Sequence, residues 1–435
     1  MELPALFISR TKAILGDEWT AFEQALQEES PVSIRLNPNK AIAGIFSDFA
    51  ASPVSWANNA YYLNERPSFT LDPLFHAGCY YVQEASSMYL EQIIQRQVPH
   101  TAKVLDLCAA PGGKATQAVS TLPAGSLLTA NEVIRSRAYI LSENLTKWGN
   151  PHTIVTNNDP KDFGSLPSFF DVIMADVPCS GEGMFRKDPA AISEWSLQNV
   201  QLCAERQKHI IADVWPALQS GGLFIYSTCT YNREENEDNI EWMCRTLSAE
   251  IVEAPRRFMP HQTKGEGFFI AAVRKNPEVS EILGKPSEPV RKTHQARNDR
   301  MSELLAEPAN FTIISEQNTF TAIPNIHLSN YQILKKHLKI LSAGVGLGET
   351  KGKDFIPAHS LALSKALNRT VFPTWELDKE AALHYLRKEA FQDIPPALPK
   401  GYVLVTYKNQ PLGFIKNIGN RANNLYPSEW RIRNL

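Results

Sequence analysis

The feature that most constrains the fold is a regular alternation of apolar runs and helical patterns between residues 103 and 247. The apolar runs end at Leu107, Asn131, Thr156, Ala175 and Thr228, and the helical patterns span residues 114–120, 135–148, 197–218 and 233–247. Strands that alternate with helices predict a parallel sheet covered by helices on both faces, which is an α/β fold. Two later runs, residues 250–254 and 268–274, are close enough in sequence to form an antiparallel pair at one sheet edge.

Outside this core the pattern changes, and 435 residues are too many for one ordinary domain. We predict an N-terminal α+β domain at 1–98, the core at 99–275, a linker at 276–308, an intermediate domain at 309–375 and a mixed C-terminal domain at 376–435. The linker is expected because a polar stretch with three prolines follows the core. Within the last domain we expect a helix over 379–391 and a β-hairpin turned at Asn409-Gln410.

Composition bounds the location and the partners. The net charge is only −2, but residues 331–435 carry 16 Lys and Arg against 8 Asp and Glu, whereas the rest of the chain carries 28 against 38. A basic tail on an acidic body predicts a surface for a polyanion, although a basic surface without a partner stays open. No apolar run is long enough to cross a membrane, and the N-terminus lacks the uncharged core of a signal peptide, so we expect a cytoplasmic monomer. The six cysteines show no CxxC pair and no ligand spacing, so neither a disulfide framework nor a metal site is expected.

Acidic side chains follow the first three strands of the predicted sheet. The first strand ends in Asp106 and leads into a loop with Gly112 and Gly113, where the backbone can approach a ligand closely. Glu132 follows the second strand and suits two ribose hydroxyls, and Asp159 follows the third and suits an exocyclic amine of adenine. Because the loop is neither a dinucleotide fingerprint nor a Walker loop, S-adenosylmethionine fits this set best.

Two thiols follow the fourth and fifth strands. Asp176 and Cys179 lie in ADVPCSGEG, and Cys229 lies in STCTY at the next strand end. Both loops reach the same edge of a parallel sheet, so the thiols are expected in one pocket. Carbon 5 of a pyrimidine becomes nucleophilic only after a thiolate adds to carbon 6, and the adduct must later be released. Two nearby thiols therefore favour methylation of a pyrimidine carbon over two buried structural cysteines.

These runs, together with CAAPGGK and VQEASS, resemble the Nol/Nop/Sun family of RNA cytosine-5 methyltransferases over about residues 30–275. The C-terminal domain resembles the PUA-like RNA-binding tail of the RsmF-like ribosomal RNA branch. The resemblance implies a Rossmann-like methyltransferase core, an N-terminal domain that binds RNA or covers the site, and small-subunit 16S rRNA as the substrate. The divergent stretch 310–375 leaves the choice of target open.

The resemblance also implies roles for individual residues. Cys229 is the implied nucleophile, Cys179 assists product release, and Asp176 holds or protonates the ring nitrogen beside the attacked carbon. Cofactor binding is implied for one loop and three acidic residues: Cys108, Ala109, Ala110, Pro111, Gly112, Gly113, Lys114, Glu132, Asp159 and Asp176. Lys187 matches a family lysine that contacts cofactor or RNA, and an exposed loop lysine is the alternative.

Other functions stay open on the sequence alone. The substrate of an RNA cytosine-5 methyltransferase can be tRNA instead of ribosomal RNA. A methyltransferase of proteins or small molecules can use the same fold, although it does not need both Cys179 and Cys229. A ribosome-assembly factor without catalysis is a further alternative, which the complete set of Glu132, Asp176 and both thiols argues against.

Overall fold

The computed structural model describes residues 2–40, 50–277 and 299–433. Residues 278–298 of the predicted linker lie outside the described residues. The N-terminal unit contains the following elements: α1 (Ala5–Leu15), α2 (Trp19–Ala25), β1 (Val32–Leu36), β2 (Ala50–Pro53), β3 (Ala60–Leu63), α3 (Pro73–His76), β4 (Tyr80–Val82) and α4 (Leu90–Gln97). Its strands form one antiparallel sheet in the order β2-β3-β1-β4.

The core contains β5 (Lys103–Asp106), α5 (Gly113–Thr121), β6 (Leu127–Asn131), α6 (Arg135–Trp148), β7 (Thr153–Thr156), β8 (Phe170–Asp176), α7 (Pro189–Glu194), α8 (Leu197–Val214), β9 (Leu218–Thr228), α9 (Glu237–Thr246), β10 (Ala249–Phe258) and β11 (Phe268–Lys275). Strands β7-β6-β5-β8-β9 are parallel neighbours in that order. The order reverses between β5 and β8, and at such a switch point open α/β sheets bind their ligands. The predicted antiparallel pair is confirmed, because β11 pairs with β9 and β10 pairs with β11 at the edge.

The C-terminal part contains α10 (Asp299–Ser302), β12 (Phe311–Glu316), β13 (Thr319–Pro324), α11 (Leu328–His337), β14 (Ile340–Ala343), β15 (Val345–Lys351), β16 (Asp354–Pro357), α12 (His359–Leu363), β17 (Thr374–Glu376), α13 (Lys379–Leu386), β18 (Gly401–Tyr407), β19 (Gln410–Asn417) and β20 (Ala422–Asn424). Two further sheets have the orders β12-β13-β15-β16 and β17-β18-β19-β20. Strand β14 lies in neither of them, since it pairs antiparallel with β7 and forms the other edge of the core sheet. The domain boundaries drawn from the sequence stay a prediction.

Apolar periodicity explains how the helices cover the sheet. In α6 the buried residues Ala138, Leu141, Leu145 and Trp148 recur every three or four positions, which gives the helix one apolar face toward the sheet. The opposite face is polar or exposed. None of the described helices combines the length and the apolar composition needed to cross a bilayer.

Several predicted element ends differ from the structure. The helix predicted to reach residue 218 ends at Val214, because Pro216 lacks the N–H that a further turn requires. The helix predicted from residue 233 begins at Glu237, and the helix predicted to reach residue 391 ends at Leu386, shortly before Lys388 with φ +65°. The hairpin turns at Lys408 and Asn409, one residue earlier than predicted. Both have positive φ, as a two-residue turn of this hand requires.

The C-terminal unit shares a hydrophobic core with the N-terminal unit. Phe69, Leu74 and Tyr80 of the N-terminal unit lie in one buried cluster with Tyr385 and Leu386 of α13. Removal of residues 376–435 would therefore expose apolar surface of the N-terminal unit. Point substitutions are the cleaner test of what the C-terminal residues bind.

Candidate active site

The loop between β5 and α5 forms one wall of a cavity of about 180 Å³ at the switch point. Gly112 has φ +117° and precedes the first residue of α5, a conformation that favours glycine. A Cβ on Gly113 would lie 3.4 Å from the ring of Tyr81, so the loop passes closely beneath the N-terminal unit. Most of the predicted cofactor loop lines the cavity, with Asp176 and residues of the VQEASS run opposite: Cys108, Ala109, Ala110, Pro111, Gly113, Lys114, Gln83, Glu84 and Ser87.

Asp106, at the end of β5, is buried beside this loop. Its Oδ2 atom has no hydrogen-bond partner within residues 2–40, 50–277 and 299–433. Burial, and then the neighbouring Asp176, raise the pKa of Asp106 to about 7. Burial and the same carboxylates also raise the pKa of the Cys108 thiol, so Cys108 stays neutral. An unpaired buried acceptor is costly, and a ligand that donates a hydrogen bond or carries positive charge would satisfy it. This donor set fits an S-adenosylmethionine-like ligand.

Glu132 lies at the end of β6, buried, with its carboxylate fixed from two sides. Its Oε1 atom accepts a hydrogen bond from the backbone N–H of Ile134 at 2.9 Å, and its Oε2 atom lies 3.6 Å from the guanidinium of Arg137. Arg137 in turn donates to the carbonyl of Ala110 at 3.0 Å, which ties α6 to the cofactor loop. The predicted ribose-binding carboxylate therefore stands beside the loop as the sequence suggested.

Asp159 follows β7, and its surroundings are more open. Its Oδ1 atom accepts from the backbone N–H of Lys161 at 3.2 Å, while its own N–H donates to Asp162, so it caps a short helical turn. About 46 % of the side chain is exposed, with Oδ2 only 3.9 Å from the ammonium of Lys161. Asp159 thus lies at the predicted sheet edge, with a capping role that the sequence did not predict.

Asp176 connects the cofactor loop to the thiol loops. Its Oδ2 atom accepts a hydrogen bond from Lys114 at 2.9 Å, and its Oδ1 atom accepts from the hydroxyl of Ser227 at 2.7 Å. Lys114 comes from α5 and Ser227 from β9, so one carboxylate joins three elements. The ammonium of Lys114 also lies 5.1 Å from the centre of the Phe268 ring.

The two thiols predicted to converge are in contact. The Sγ atoms of Cys179 and Cys229 lie 3.1 Å apart, although 50 residues separate them in sequence. The hydrogen bond with Cys229 and burial raise the pKa of Cys179 well above its ordinary value. Cys179 therefore keeps its proton at neutral pH. This is the closest pairing of chemically active side chains that the sequence predicted.

Buried carboxylates hold the thiol loops, and the sequence analysis missed both. Glu182 is 2 % exposed, and its Oε2 atom accepts from the hydroxyl of Thr230 at 2.7 Å and from the N–H groups of Tyr231 and Asn232 at 2.8 and 2.9 Å. Its Oε1 atom accepts from the indole of Trp195 at 3.0 Å. The residue follows Cys179 by three positions, and its loop is thus bound to the loop that carries Cys229.

Glu235 does the same for the other loop. Its Oε2 atom accepts from the N–H of Ser180 at 2.9 Å and from Gln207 at 2.8 Å, and its Oε1 atom accepts from Asn232 at 2.7 Å. Burial raises the pKa of Glu235, whereas its bonds with Ser180 and Asn232 lower it. A carboxylate within a polar loop was the available signal, but sequence alone does not distinguish a buried Glu from an exposed one.

Lys187 is neither at the cofactor loop nor a free surface lysine. Its ammonium lies 3.5 Å from Glu266, which also pairs with Arg186 at 2.9 Å and accepts from Ser30 at 2.6 Å. Because Ser30 belongs to the N-terminal unit, these contacts fix that unit to the loop after Cys179. The structure therefore gives Lys187 a position at a domain contact.

The VQEASS run has a similar role on the other side of the cofactor loop. Gln83 accepts from the buried Arg35 at 2.9 Å and donates to Gln117 of α5 at 3.0 Å. Arg35 also donates to Thr116 at 2.6 Å and stacks on Trp148. Burial lowers the pKa of Arg35 to about 9. Arg35 was not among the predicted residues, because a lone arginine in a strand gives no sequence signal.

A parallel sheet with this order, a glycine loop beneath a cavity and acidic strand ends define a Rossmann-like methyltransferase that uses S-adenosylmethionine. The thiol pair directs attention to enzymes that act on nucleic acid. Three family models match the chain: 16S rRNA methyltransferase RsmB/F over residues 94–274, the N-terminal domain of 16S rRNA methyltransferase RsmF over 3–85, and the methyltransferase RsmF PUA domain over 372–432. The chain belongs to the RsmF family of ribosomal RNA methyltransferases.

Individual proteins agree with this assignment. A ribosomal RNA small subunit methyltransferase F from Vibrio cholerae is 31% identical over 99% of this chain and 98% of its own length. A solved methyltransferase homolog protein from Pyrococcus horikoshii is 26% identical, covering 62% of this chain and 94% of that one with a TM-score of 0.54. NSun6 from the same organism, determined with SFG, shares the fold at 19% identity and a TM-score of 0.54, covering 63% and 99%. The predicted family, fold class and cofactor are confirmed, and ribosomal RNA is favoured over tRNA.

Proposed function

We propose that the protein methylates carbon 5 of a cytosine in the RNA of the small ribosomal subunit, through a covalent adduct with Cys229. The observation that carries this proposal is the contact of two thiols, 3.1 Å apart, at the ends of adjacent strands and next to Asp176. A methyltransferase that acts on an amine or a hydroxyl needs no thiol, because those atoms already have a usable lone pair. Carbon 5 of cytosine needs one thiol to activate it and benefits from a second group at release.

The unequal surroundings of the thiols support Cys229 as the attacking group. The thiolate is the nucleophile, and a raised pKa keeps Cys179 protonated. In the proposal Cys229 adds to carbon 6 of the cytosine, and carbon 5 then attacks the methyl group. Asp176, oriented by Lys114 and Ser227, holds the ring nitrogen. S-adenosylmethionine supplies the electrophilic methyl group, held by the residues of the cofactor loop with Glu132.

Release completes the reaction. The proton on carbon 5 leaves, the ring double bond re-forms, and the bond between Cys229 and carbon 6 breaks. The Cys179 thiol lies next to the departing sulfur and is placed to assist this step. Glu182 and Glu235 hold the two thiol loops in register, so we assign them as positioning residues.

The test separates the two thiols by role. Cys229→Ala should abolish both methyl transfer and any covalent protein–RNA species. Cys179→Ala should still attack and methylate but should stall before release, so it should accumulate an RNA-linked protein that survives denaturing electrophoresis. Each variant is assayed with small-subunit rRNA and radiolabelled cofactor, and bisulfite sequencing locates the methylated base.

Two outcomes would contradict the proposal. Accumulation of the adduct in Cys229→Ala, with none in Cys179→Ala, would reverse the roles. Normal methyl transfer by both variants would make the thiols structural and would reopen the alternatives of another substrate class. A wild-type protein that binds rRNA without methylating it would favour the assembly factor.

A further inference from the structure

An exposed apolar and basic patch lies at the start of α6, next to the cofactor-binding edge. Val133, Ile134, Tyr139 and Ile140 are each about half exposed, with 52% for Tyr139 and 47% for Ile140. These four large side chains fall within eight residues. Val133 and Ile134 directly follow Glu132 and lie closest to the cofactor edge. Tyr139 and Ile140 lie on the next turn, on the face of α6 opposite Ala138 and Leu141.

Cations surround the outer part of this patch. Arg135 donates to the hydroxyl of Tyr139 at 3.2 Å, and its guanidinium lies 5.7 Å from the ring centre. Lys339 comes from the C-terminal part, yet it lies at the ligand-binding edge because it precedes β14, which pairs with β7. Its backbone N–H donates to Asn158 and its ammonium donates to Asn157 at 3.3 Å. Positive charge from Arg135 and then from Lys339 lowers the pKa of Tyr139.

We propose that Tyr139, Arg135 and Lys339 form a binding platform for an unpaired nucleotide of the substrate RNA, close to the target cytosine. An exposed aromatic ring beside cations stacks a base and binds its phosphate without requiring a sequence. The occupant is RNA because the charges are positive and the enzyme class acts on ribosomal RNA. A protein partner would cover the apolar atoms but would not require this ring of cations.

The geometry sets where the nucleotide lies. The thiols follow β8 and β9, whereas the platform follows β6 and β7, and β5 separates β8 from β6. With strands about 4.8 Å apart, the distance across the edge from β8 to β6 is roughly 10 Å. A single RNA strand that enters the thiol pocket can therefore reach Tyr139 within a few nucleotides of the target. This inference rests on the proposed function, because it assigns the second contact of the same RNA.

The experiment compares Tyr139→Ala with two controls in the full-length protein. Tyr139→Phe keeps the ring, and Leu202→Ala removes an apolar side chain of similar exposure (57%) from α8. With small-subunit rRNA, Tyr139→Ala should raise KM roughly five- to a hundred-fold, the range measured for loss of one stacked base. The value of kcat and the affinity for S-adenosylmethionine should stay unchanged, and both controls should behave as wild type.

A second variant tests the phosphate contact. Lys339→Ala should weaken RNA binding at low salt and reduce the slope of log affinity against log salt by about 0.7 to 0.9. Equal RNA affinity for Tyr139→Ala and Leu202→Ala would overturn the platform. Normal binding to free rRNA with impaired methylation of the assembled subunit would also overturn it, in favour of a protein partner. If the wild type itself transfers no methyl group to rRNA, the proposed function fails, and the RNA-binding comparison still tests the platform.

Discussion

The two halves of the candidate site are built in different ways. On the cofactor side, the ends of β5 and β6 present a glycine loop, the half-paired Glu132 and the buried Asp106 with an unsatisfied oxygen. On the thiol side, the four carboxylate oxygens of Glu182 and Glu235 all accept hydrogen bonds. The cofactor side is therefore completed by a ligand, whereas the thiol side is complete without one. The difference suggests that the loops of Cys179 and Cys229 are fixed before substrate binds.

The strongest test of this contrast is Glu182→Ala. It would leave the hydroxyl of Thr230, two backbone N–H groups and the indole of Trp195 without their acceptor. Because each buried unsatisfied donor costs about 1–3 kcal/mol, the free energy of unfolding should fall by on the order of 4 kcal/mol or more. Methyl transfer should be lost.

The matched control is Glu234→Ala in the same loop. Glu234 pairs with Arg10 near the surface, and such pairs contribute about 1 kcal/mol or less. Urea denaturation measures both variants. Equal stability of the two would show that Glu182 does not hold the loop and that the thiol side is not preorganised.

The second test addresses the unsatisfied carboxylate on the cofactor side. Because burial raises the pKa of Asp106 to about 7, the folded ligand-free protein holds a proton that the unfolded chain has released above pH about 4. The stability that this proton contributes is present below about pH 4 and is lost as the pH rises through 7. Over that window the decline is about 3 kcal/mol.

Asp106→Asn cannot titrate, so its free energy of unfolding should lack this decline and should exceed that of the wild type at pH 8. The control is Asp171→Asn, which removes a carboxylate at the opposite end of β8. Urea denaturation at pH 5 and pH 8 gives the comparison. Parallel pH profiles for the wild type and Asp106→Asn would mean that Asp106 is satisfied without a ligand.

The third test concerns ligand affinity alone. Glu132→Ala removes the charge-assisted partner expected for the ribose hydroxyls, a loss on the order of 1.5–3 kcal/mol. The affinity for S-adenosylmethionine should fall roughly ten- to a hundred-fold by calorimetry, with RNA affinity little changed. Glu143→Ala, on the same helix as Arg137 and paired with Lys147, is the control. Normal cofactor affinity in a folded Glu132→Ala variant would remove this residue from the site.

Much of the site was predictable because its chemistry lies at strand ends. A parallel sheet brings the carboxyl ends of its strands to one edge, so Asp106, Glu132, Asp176, Cys179 and Cys229 could be grouped from their positions alone. Asp159 was placed at the same edge, but its capping hydrogen bonds depend on the turn that follows. Lys187 was open to two interpretations, and its contact with Glu266 depends on a residue 79 positions away.

The sequence by itself determined the α/β core, the antiparallel pair at its edge and the approach of two thiols, because periodicity and strand order are local and topological properties. Only the tertiary structure decided which carboxylates are buried, since Glu182 and Glu235 look like ordinary loop residues until β9 and α8 surround them. It also decided that β14 closes the sheet and brings Lys339 to the ligand edge. Such contacts join residues nearly two hundred positions apart, and their energies depend on desolvation and distance, which no local pattern encodes.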